Sequence, residues 1–392
     1  MKAKKLFAVL VVVALVMTAF AGCGGSGGTK APEGEADTIK IGANYELSGA
    51  VGQYGLMSME GIKLAIDEVN AAGGIKGKQV ELISVDNKSD NNESKTVATR
   101  LATQEKVLVI LGPATSGAVK ATTTVSEQYK VPVITSSGTA DDVTVVNGKV
   151  NAYIFRTCFN DSFQGTVMGN FATKDMGLKN FVILSDNSND YSMGLAATFK
   201  EVLAKEGATV VAEENFTAGD KDFSPILTKI KDKQFEAIYL PAYYEEAGLI
   251  IKQARAMGIN VPILGADGYD DSKLNAIAGD ENLNNVFFSG HYSSDDTTPI
   301  VVDFVKMYTE KKGATPNAFN ALGYDMAKSV LAAIENSETL SSEDIAKTFA
   351  ATTNFEGVTG TFTLDANHNP VKSAVVIELK NGVQTFKTRV NP

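Results

Sequence analysis

Histidine, cysteine and tryptophan are nearly missing from this 392-residue chain, which has two, two and none of them. His291 and His368 lie far apart, each without a cysteine or second histidine nearby, so no metal site is expected. Basic clusters are absent too. With a formal net charge of −10, the chain is not expected to bind nucleic acid. Catalytic motifs are also missing: there is no Gly-x-Ser-x-Gly elbow, no Gly-x-x-x-x-Gly-Lys phosphate loop and no His–Cys pairing. Gly73-Gly74-Ile75-Lys76-Gly77 follows a helix pattern rather than joining a strand to a helix, so it reads as a turn. Neither an enzyme nor a cofactor is expected.

What is present is a globular composition, 44% hydrophobic and 21% charged, in a chain long enough for two domains. Residues 1–22 have a basic start (Lys2, Lys4, Lys5), an apolar run from Leu6 to Phe20 and small residues before Cys23, the pattern of an export signal. The apolar run is too short and wrongly flanked for a spanning helix. Ala21-Gly22-Cys23 resembles a bacterial lipoprotein signal, which implies that Cys23 is acylated and held at a membrane surface. Phe20 stands where that pattern prefers Leu, and an ordinary secretory signal or an uncleaved anchor stays open. Residues 23–37 are Gly-rich and polar, a flexible tether. Cys158 is then alone, and a buried, inert thiol is expected.

Two strand-end loops organise the rest. An apolar strand, Val107 to Leu111, runs into Gly112-Pro113-Ala114-Thr115-Ser116-Gly117. A second, Val131 to Ile134, runs into Thr135-Ser136-Ser137-Gly138-Thr139-Ala140. In open α/β sheets, ligands bind at the carboxyl ends of the strands. Hydroxyls and backbone N–H groups at a helix start can donate to an anion. Two ordinary helix caps use the same residue types, so that reading also stands.

Strand and helix patterns alternate from Ile39 to Tyr129 and again from about Phe163 to Asn284, which predicts two mostly parallel sheets covered by helices. In this reading Asn44 to Gly55 is a polar loop carrying Tyr54, and Ser185 to Tyr191 is a strand-end loop. Helices are expected over Pro299 to Lys312 and Ala321 to Asn336. They are too few for a third domain, so they return to the first lobe. Ala374 to Leu379 is a strand, and Asn381-Gly382 signals a hairpin. The expected fold is α/β, two lobes with a hinge and a cleft between them.

Here the residues resemble a family. IKIGANYELSGAVGQYG, LGPATSGA, VPVITSSGTAD, AYIFRT, DYSMG, AIYLPAYYEEAGLIIKQARAMGI, ILGADG and NAFNALGYDMA, in that order, are similar to the branched-chain amino acid-binding proteins of ABC importers. The similarity runs from about Ile39 to the C-terminus. It implies a type I periplasmic-binding-protein fold with three hinge crossings, near Thr157 to Asp161, Ser289 to Tyr292 and Asp365 to Ser373. The lobes become 38–158 plus 290–367 and 159–289 plus 368–392. It implies an amino-acid ligand (Leu, Ile or Val), and permease and ATPase partners. It implies ligand contacts at Thr115 and Ser116 in the first loop and at Ser137, Gly138 and Thr139 in the second. Tyr54 becomes an aromatic wall. Tyr191 and Tyr243 close over the ligand, Asp267 beside Gly268 pairs with its ammonium, and Phe319 lines the side-chain pocket. Without the resemblance, Tyr54 and Phe319 read as core and Asp267 as a turn residue. The same fold binding another amino acid, an amide, a urea or a small organic acid, or serving a sensory receptor, remains open.

Overall fold

The computed structural model describes residues 38–392, and Asp37–Pro392 forms one compact unit. The export signal, Cys23 and the tether lie outside the described residues.

The chain first builds β1 (Ile39–Tyr45), β2 (Val80–Asp86), β3 (Val109–Leu111) and β4 (Val133–Thr135), each followed by a helix or helical turn. A small hairpin of β5 (Val145–Val146) and β6 (Lys149–Val150) precedes β7 (Ile154–Arg156). The five longer strands form a parallel sheet in the order β2-β1-β3-β4-β7. The chain then crosses into a second sheet of β8 (Asn180–Asp186), β9 (Thr209–Phe216), β10 (Ala237–Tyr239), β11 (Ile263–Gly265) and β12 (Val286–Gly290), all parallel. Three helices follow, Pro299–Lys312, Ala318–Asn336 and Ser342–Ala350. A hairpin of β13 (Thr363–Leu364) and β14 (Pro370–Val371) leads to β15 (Ala374–Lys380) and β16 (Val383–Val390), which extend the second sheet with antiparallel strands. Its order is β16-β15-β12-β11-β10-β8-β9.

Short central strands such as VIL and VIT are buried throughout, as expected of strands covered on both faces. The return of the late helices to the first lobe is visible at Gly61 and Gly323. A Cβ at Gly61 would lie 2.0 Å from the Asn320 carbonyl oxygen, and one at Gly323 would lie 2.2 Å from that of Ser58. The helices Gly52–Ala71 and Ala318–Asn336 therefore touch backbone to backbone.

Helix starts differ from the sequence reading at two positions that matter. Gly52–Ala71 begins before Tyr54, and Asp190–Lys205 begins before Tyr191, so both tyrosines sit in first helical turns rather than loops. Asn189 caps the second of these by accepting the Tyr191 N–H at 3.0 Å.

Between the sheets the chain crosses after β7, after β12 and before β15. Buried groups bind these crossings together. His291 stacks on Phe159 with ring centroids 3.6 Å apart. Lys372 Nζ donates to the Thr157 carbonyl at 3.3 Å and to Thr359 Oγ1 at 2.7 Å. Cys158 is buried there, and burial pushes its thiol up to about 12, which keeps it protonated and unreactive. Burial pushes Lys372 down to about 8, against the attraction of Asp325. The folded chain therefore holds fewer protons than the unfolded chain from about pH 8 to about 10.4, and stability gains from this group as pH rises through that window. Relative to Lys372→Met, the wild type should gain up to about 3 kcal/mol of unfolding free energy between pH 8 and pH 10.5, measured by urea titration. A constant difference would mean that Lys372 titrates as it does in water.

Candidate functional site

The first lobe's wall of the cleft is built by cross-stitching the two hydroxyl-rich loops. Thr135 Oγ1 donates to the Pro113 carbonyl at 2.7 Å and accepts the Gly138 N–H at 2.8 Å. Ser137 Oγ donates to the Ala114 carbonyl, and Ser116 Oγ accepts the Ala140 N–H, both at 3.0 Å. Glu46, fully buried past the end of β1, accepts the N–H groups of Ala114 (3.0 Å) and Thr115 (3.1 Å) and the Thr115 hydroxyl (2.7 Å). Burial pushes the Glu46 carboxyl up, opposed by these donors. Beneath the second loop lies Arg156. Its Nη1 donates to the carbonyls of Gly138 (3.2 Å) and Thr139 (2.7 Å), and its Nη2 to the Asp141 carbonyl and Thr144 Oγ1.

The second lobe's wall centres on Asp267, in a short 3₁₀ turn after β11. Its Oδ1 accepts the Tyr191 hydroxyl at 2.8 Å and Gln164 Nε2 at 3.1 Å, and its Oδ2 faces His291 Nε2 at 3.2 Å. Burial holds His291 below the usual imidazole range, although Asp267 pulls it the other way. The neutral ring then donates from Nε2, and its buried Nδ1 has no partner. Asp161 is buried nearby, pushed well up by burial and then by the charge of Asp267. Its Oδ2 and the Thr139 hydroxyl are buried without hydrogen-bond partners. Buried polar atoms are rarely left so, and the Thr139 hydroxyl can donate as well as accept.

Aromatic rings join the walls. Tyr54 donates to the Gly268 carbonyl at 2.6 Å and accepts the Tyr244 N–H at 3.2 Å. Its ring stacks on Phe319 with centroids 4.4 Å apart, and Tyr191 stacks on Tyr243 at 5.0 Å. A Cβ on Gly268 would lie 2.9 Å from the Ala242 carbonyl oxygen and within 3.2 Å of the Tyr54 and Tyr191 hydroxyls, so a side chain here would have to displace backbone or rings. Burial raises the Tyr54, Tyr191 and Tyr243 phenols well above the usual range, so all three remain donors.

Together these walls meet on a small, tightly packed cavity lined by Tyr54, Ala114, Thr115, Ser137, Tyr191, Tyr243, Asp267, Gly268 and Phe319. Eight of these nine residues, all but Ala114, are expected from the sequence. Ser116, Gly138 and Thr139 do not line it. Ser116 and Gly138 are engaged within the loops, and Thr139 gives its carbonyl to Arg156. The reading of the sequence misses Glu46, Arg156, Asp161, Gln164 and His291. Lone charged residues at otherwise apolar strand ends were the signal for Glu46 and Arg156. For Gln164 and His291 there was none, because their partner Asp267 lies 103 and 24 residues away.

Two α/β lobes, crossed three times by the chain and closed on a small cavity with polar and aromatic walls, define a binding protein that grips a small solute between its lobes. Residues 38–384 match the periplasmic binding protein family, and the chain belongs to it. That family is one of binding proteins, in keeping with the missing catalytic motifs. The chain is similar to the leucine-, isoleucine-, valine-, threonine- and alanine-binding protein of Pseudomonas aeruginosa, with 31% identity over 332 residues, 84% of this chain and 86% of that one. Its fold is similar to the branched-chain amino acid transporter substrate-binding protein LivJ of Streptococcus pneumoniae in complex with isoleucine. The identity is 40% and the TM-score 0.85, over 91% of this chain and all of that one. The leucine-binding protein LivK of Thermotoga maritima is likewise similar, at 36% identity and a TM-score of 0.85, over 91% of this chain and 99% of that one.

Proposed function

We propose that this chain is the extracytoplasmic receptor of an ABC importer and captures branched-chain aliphatic amino acids by hinge closure. The observation that carries the reading is Asp267: a carboxylate fixed by Tyr191, Gln164 and His291 at a small cavity walled by aromatic rings. A zwitterion needs a counter-charge for its ammonium, donors for its carboxylate and an apolar wall for its side chain. Asp267 supplies the first, the Thr115–Ser116 and Ser137–Thr139 loops the second, and Tyr54, Tyr191, Tyr243 and Phe319 the third. A micromolar complex needs about 8 kcal/mol. Burying a leucine-sized side chain contributes about 1.5–3 kcal/mol, so the head group must supply most of the affinity. Broad acceptance of Leu, Ile and Val follows, since one methylene discriminates only about 10–200-fold.

In this reading the lobes are 38–158 plus 290–367 and 159–289 plus 368–392. Both walls meet only when the lobes are closed, so ligand shifts the population toward closure. The closed receptor delivers its ligand to a permease driven by an ATPase. Residues 1–22 direct export, and Cys23 carries the lipid that holds the receptor at the membrane; Cys23→Ser should move the protein from the membrane fraction to the soluble fraction of cells. A thermal-shift panel of the twenty amino acids tests the ligand class. The panel uses the chain from Gly24, since the compact unit begins at Asp37, unfolded and refolded to strip bound solute. Stabilisation by Leu, Ile and Val is expected. Stabilisation by a polar amino acid alone would overturn the aliphatic assignment.

A further inference from the structure

Asp270 closes the 3₁₀ turn that carries Asp267, yet it binds the opposite lobe. It is 1% exposed. Its Oδ2 accepts the N–H of Ala318 at 3.2 Å, and its carbonyl accepts Asn317 Nδ2 at 3.2 Å. Its Oδ1 accepts Gln384 Nε2, from β16 of its own lobe, at 2.7 Å. Asn317 caps the 19-residue Ala318–Asn336 helix, reciprocally with Asn320. The first N–H groups of a helix have no intrahelical acceptor, and a carboxylate there is favoured by the helix dipole. This helix is thus capped twice, from its own lobe by Asn317 and from the other lobe by Asp270.

The position of that second cap matters. The residue after Ala318 is Phe319, which lines the cavity and stacks on Tyr54. Three residues before Asp270, Asp267 lines the other side. Other ties cross between the lobes away from the cavity: the Tyr244 hydroxyl donates to the Ala50 carbonyl at 2.9 Å, and Arg389 pairs with Asp296. Lys120 meets Asp190 at 2.6 Å, but the two side chains are 27% and 47% exposed, and exposed pairs contribute little. Tyr54 and Tyr191 touch the cavity itself.

We propose that Asp270 is a positioning residue, a cap supplied across the cleft that fixes Phe319 against Asp267 and stabilises the closed arrangement. This rests on the reading of the cleft as the solute site. Burial pushes the Asp270 carboxyl up to about 6, opposed by the Gln384 and Ala318 donors, which lessens the cost of replacing it with a neutral acceptor. Asp270→Asn keeps an oxygen for Ala318, and the Gln384 amide can turn over to accept from the new NH₂. Asp270→Ala removes both acceptors.

Single-molecule energy transfer between dyes at Lys95→Cys and Lys231→Cys, exposed on opposite lobes, reads closure in the chain from Gly24, whose one native thiol is buried. Leucine dissociation is measured alongside. Asp270→Ala should lower the closed population and speed leucine release about tenfold, with the association rate changed little. Asp270→Asn should match the wild type in both. A merely structural role would lower the melting temperature of Asp270→Ala without moving the dissociation rate. The proposal is overturned if Asp270→Ala closes and releases leucine like the wild type, if Asp270→Asn is as impaired as the alanine variant, or if no closed population forms with or without leucine. Failure of the wild type to bind leucine, with a closed population that Asp270→Ala alone abolishes, would refute the ligand assignment and leave this role standing.

Discussion

Asp267→Asn should weaken leucine binding about 30- to 1,000-fold while lowering the melting temperature by only a few degrees. The asparagine oxygen replaces Oδ1 as acceptor for Tyr191 and Gln164. His291, whose Nδ1 is unpartnered, can move its proton there and accept from the new amide. Packing is therefore kept while the charge is lost. An ion pair at ~4 Å with an effective dielectric of about 20 gains about 4 kcal/mol before desolvation. Truncating one partner of a buried, hydrogen-bonded charge pair costs about 2–5 kcal/mol. At about 1.4 kcal/mol per tenfold, a loss of 2–4 kcal/mol gives the stated range. Calorimetric titration of the two proteins with leucine reads it directly, and equal affinities would remove Asp267 from the site.

Arg156→Met should cost the folded protein about 3–5 kcal/mol, the scale of breaking a buried charged network. The side chain is fully buried, and its two terminal nitrogens serve different acceptors: Nη1 the carbonyls of Gly138 and Thr139, Nη2 those of Asp141 and the Thr144 hydroxyl. Each acceptor stranded without a partner costs about 1–3 kcal/mol, less where water or a second donor reaches it. Thr139 keeps the Asp161 N–H, whereas Gly138 would be left bare. The loop above carries Ser137 at the cavity, so leucine affinity should fall with stability. Arg156→Lys should not rescue either, because a single ammonium cannot span both pairs of acceptors. Urea unfolding of the three proteins measures the cost; a Met variant within about 1 kcal/mol of wild type would show that the loop holds itself.

Much of the architecture was legible because its signals are local. Apolar runs marked the central strands. Pro299 opens and Gly313 closes a helix whose limits match the expected ones. Asn381 and Gly382 adopt the positive φ values that a two-residue hairpin demands, and β15 and β16 pair across them. The Ser342–Ala350 helix escaped notice although Ser341 caps it through the Asp344 N–H and Ile345 and Phe349 share its buried face. Gly- and Asn-rich sequence before Tyr54 and Tyr191 looked like loop to the end, because backbone geometry rather than composition decides where the first turn begins.

The cavity residues came from motifs, and the residues that fix them did not. Gln164 and His291 act on a partner, Asp267, that only the fold brings near. A solitary polar residue has no periodicity by which to recognise it. Ser116, Gly138 and Thr139 belong to the same two hydroxyl-rich loops but lie outside the cavity lining. Loop membership places a residue near the cleft, but a side chain such as that of Ser116 is turned to a loop neighbour, the Ala140 N–H.

Recognition of a free amino-acid head group is the central claim, and calorimetric titration of refolded protein with leucine, leucine amide and 4-methylpentanoate tests it most directly. Saturable binding of leucine, with both analogues weakened at least about 100-fold, is the predicted result, since each lacks one of the charges that the two walls address. Binding of 4-methylpentanoate as tight as that of leucine would contradict it, because the ammonium assigned to Asp267 would then contribute nothing.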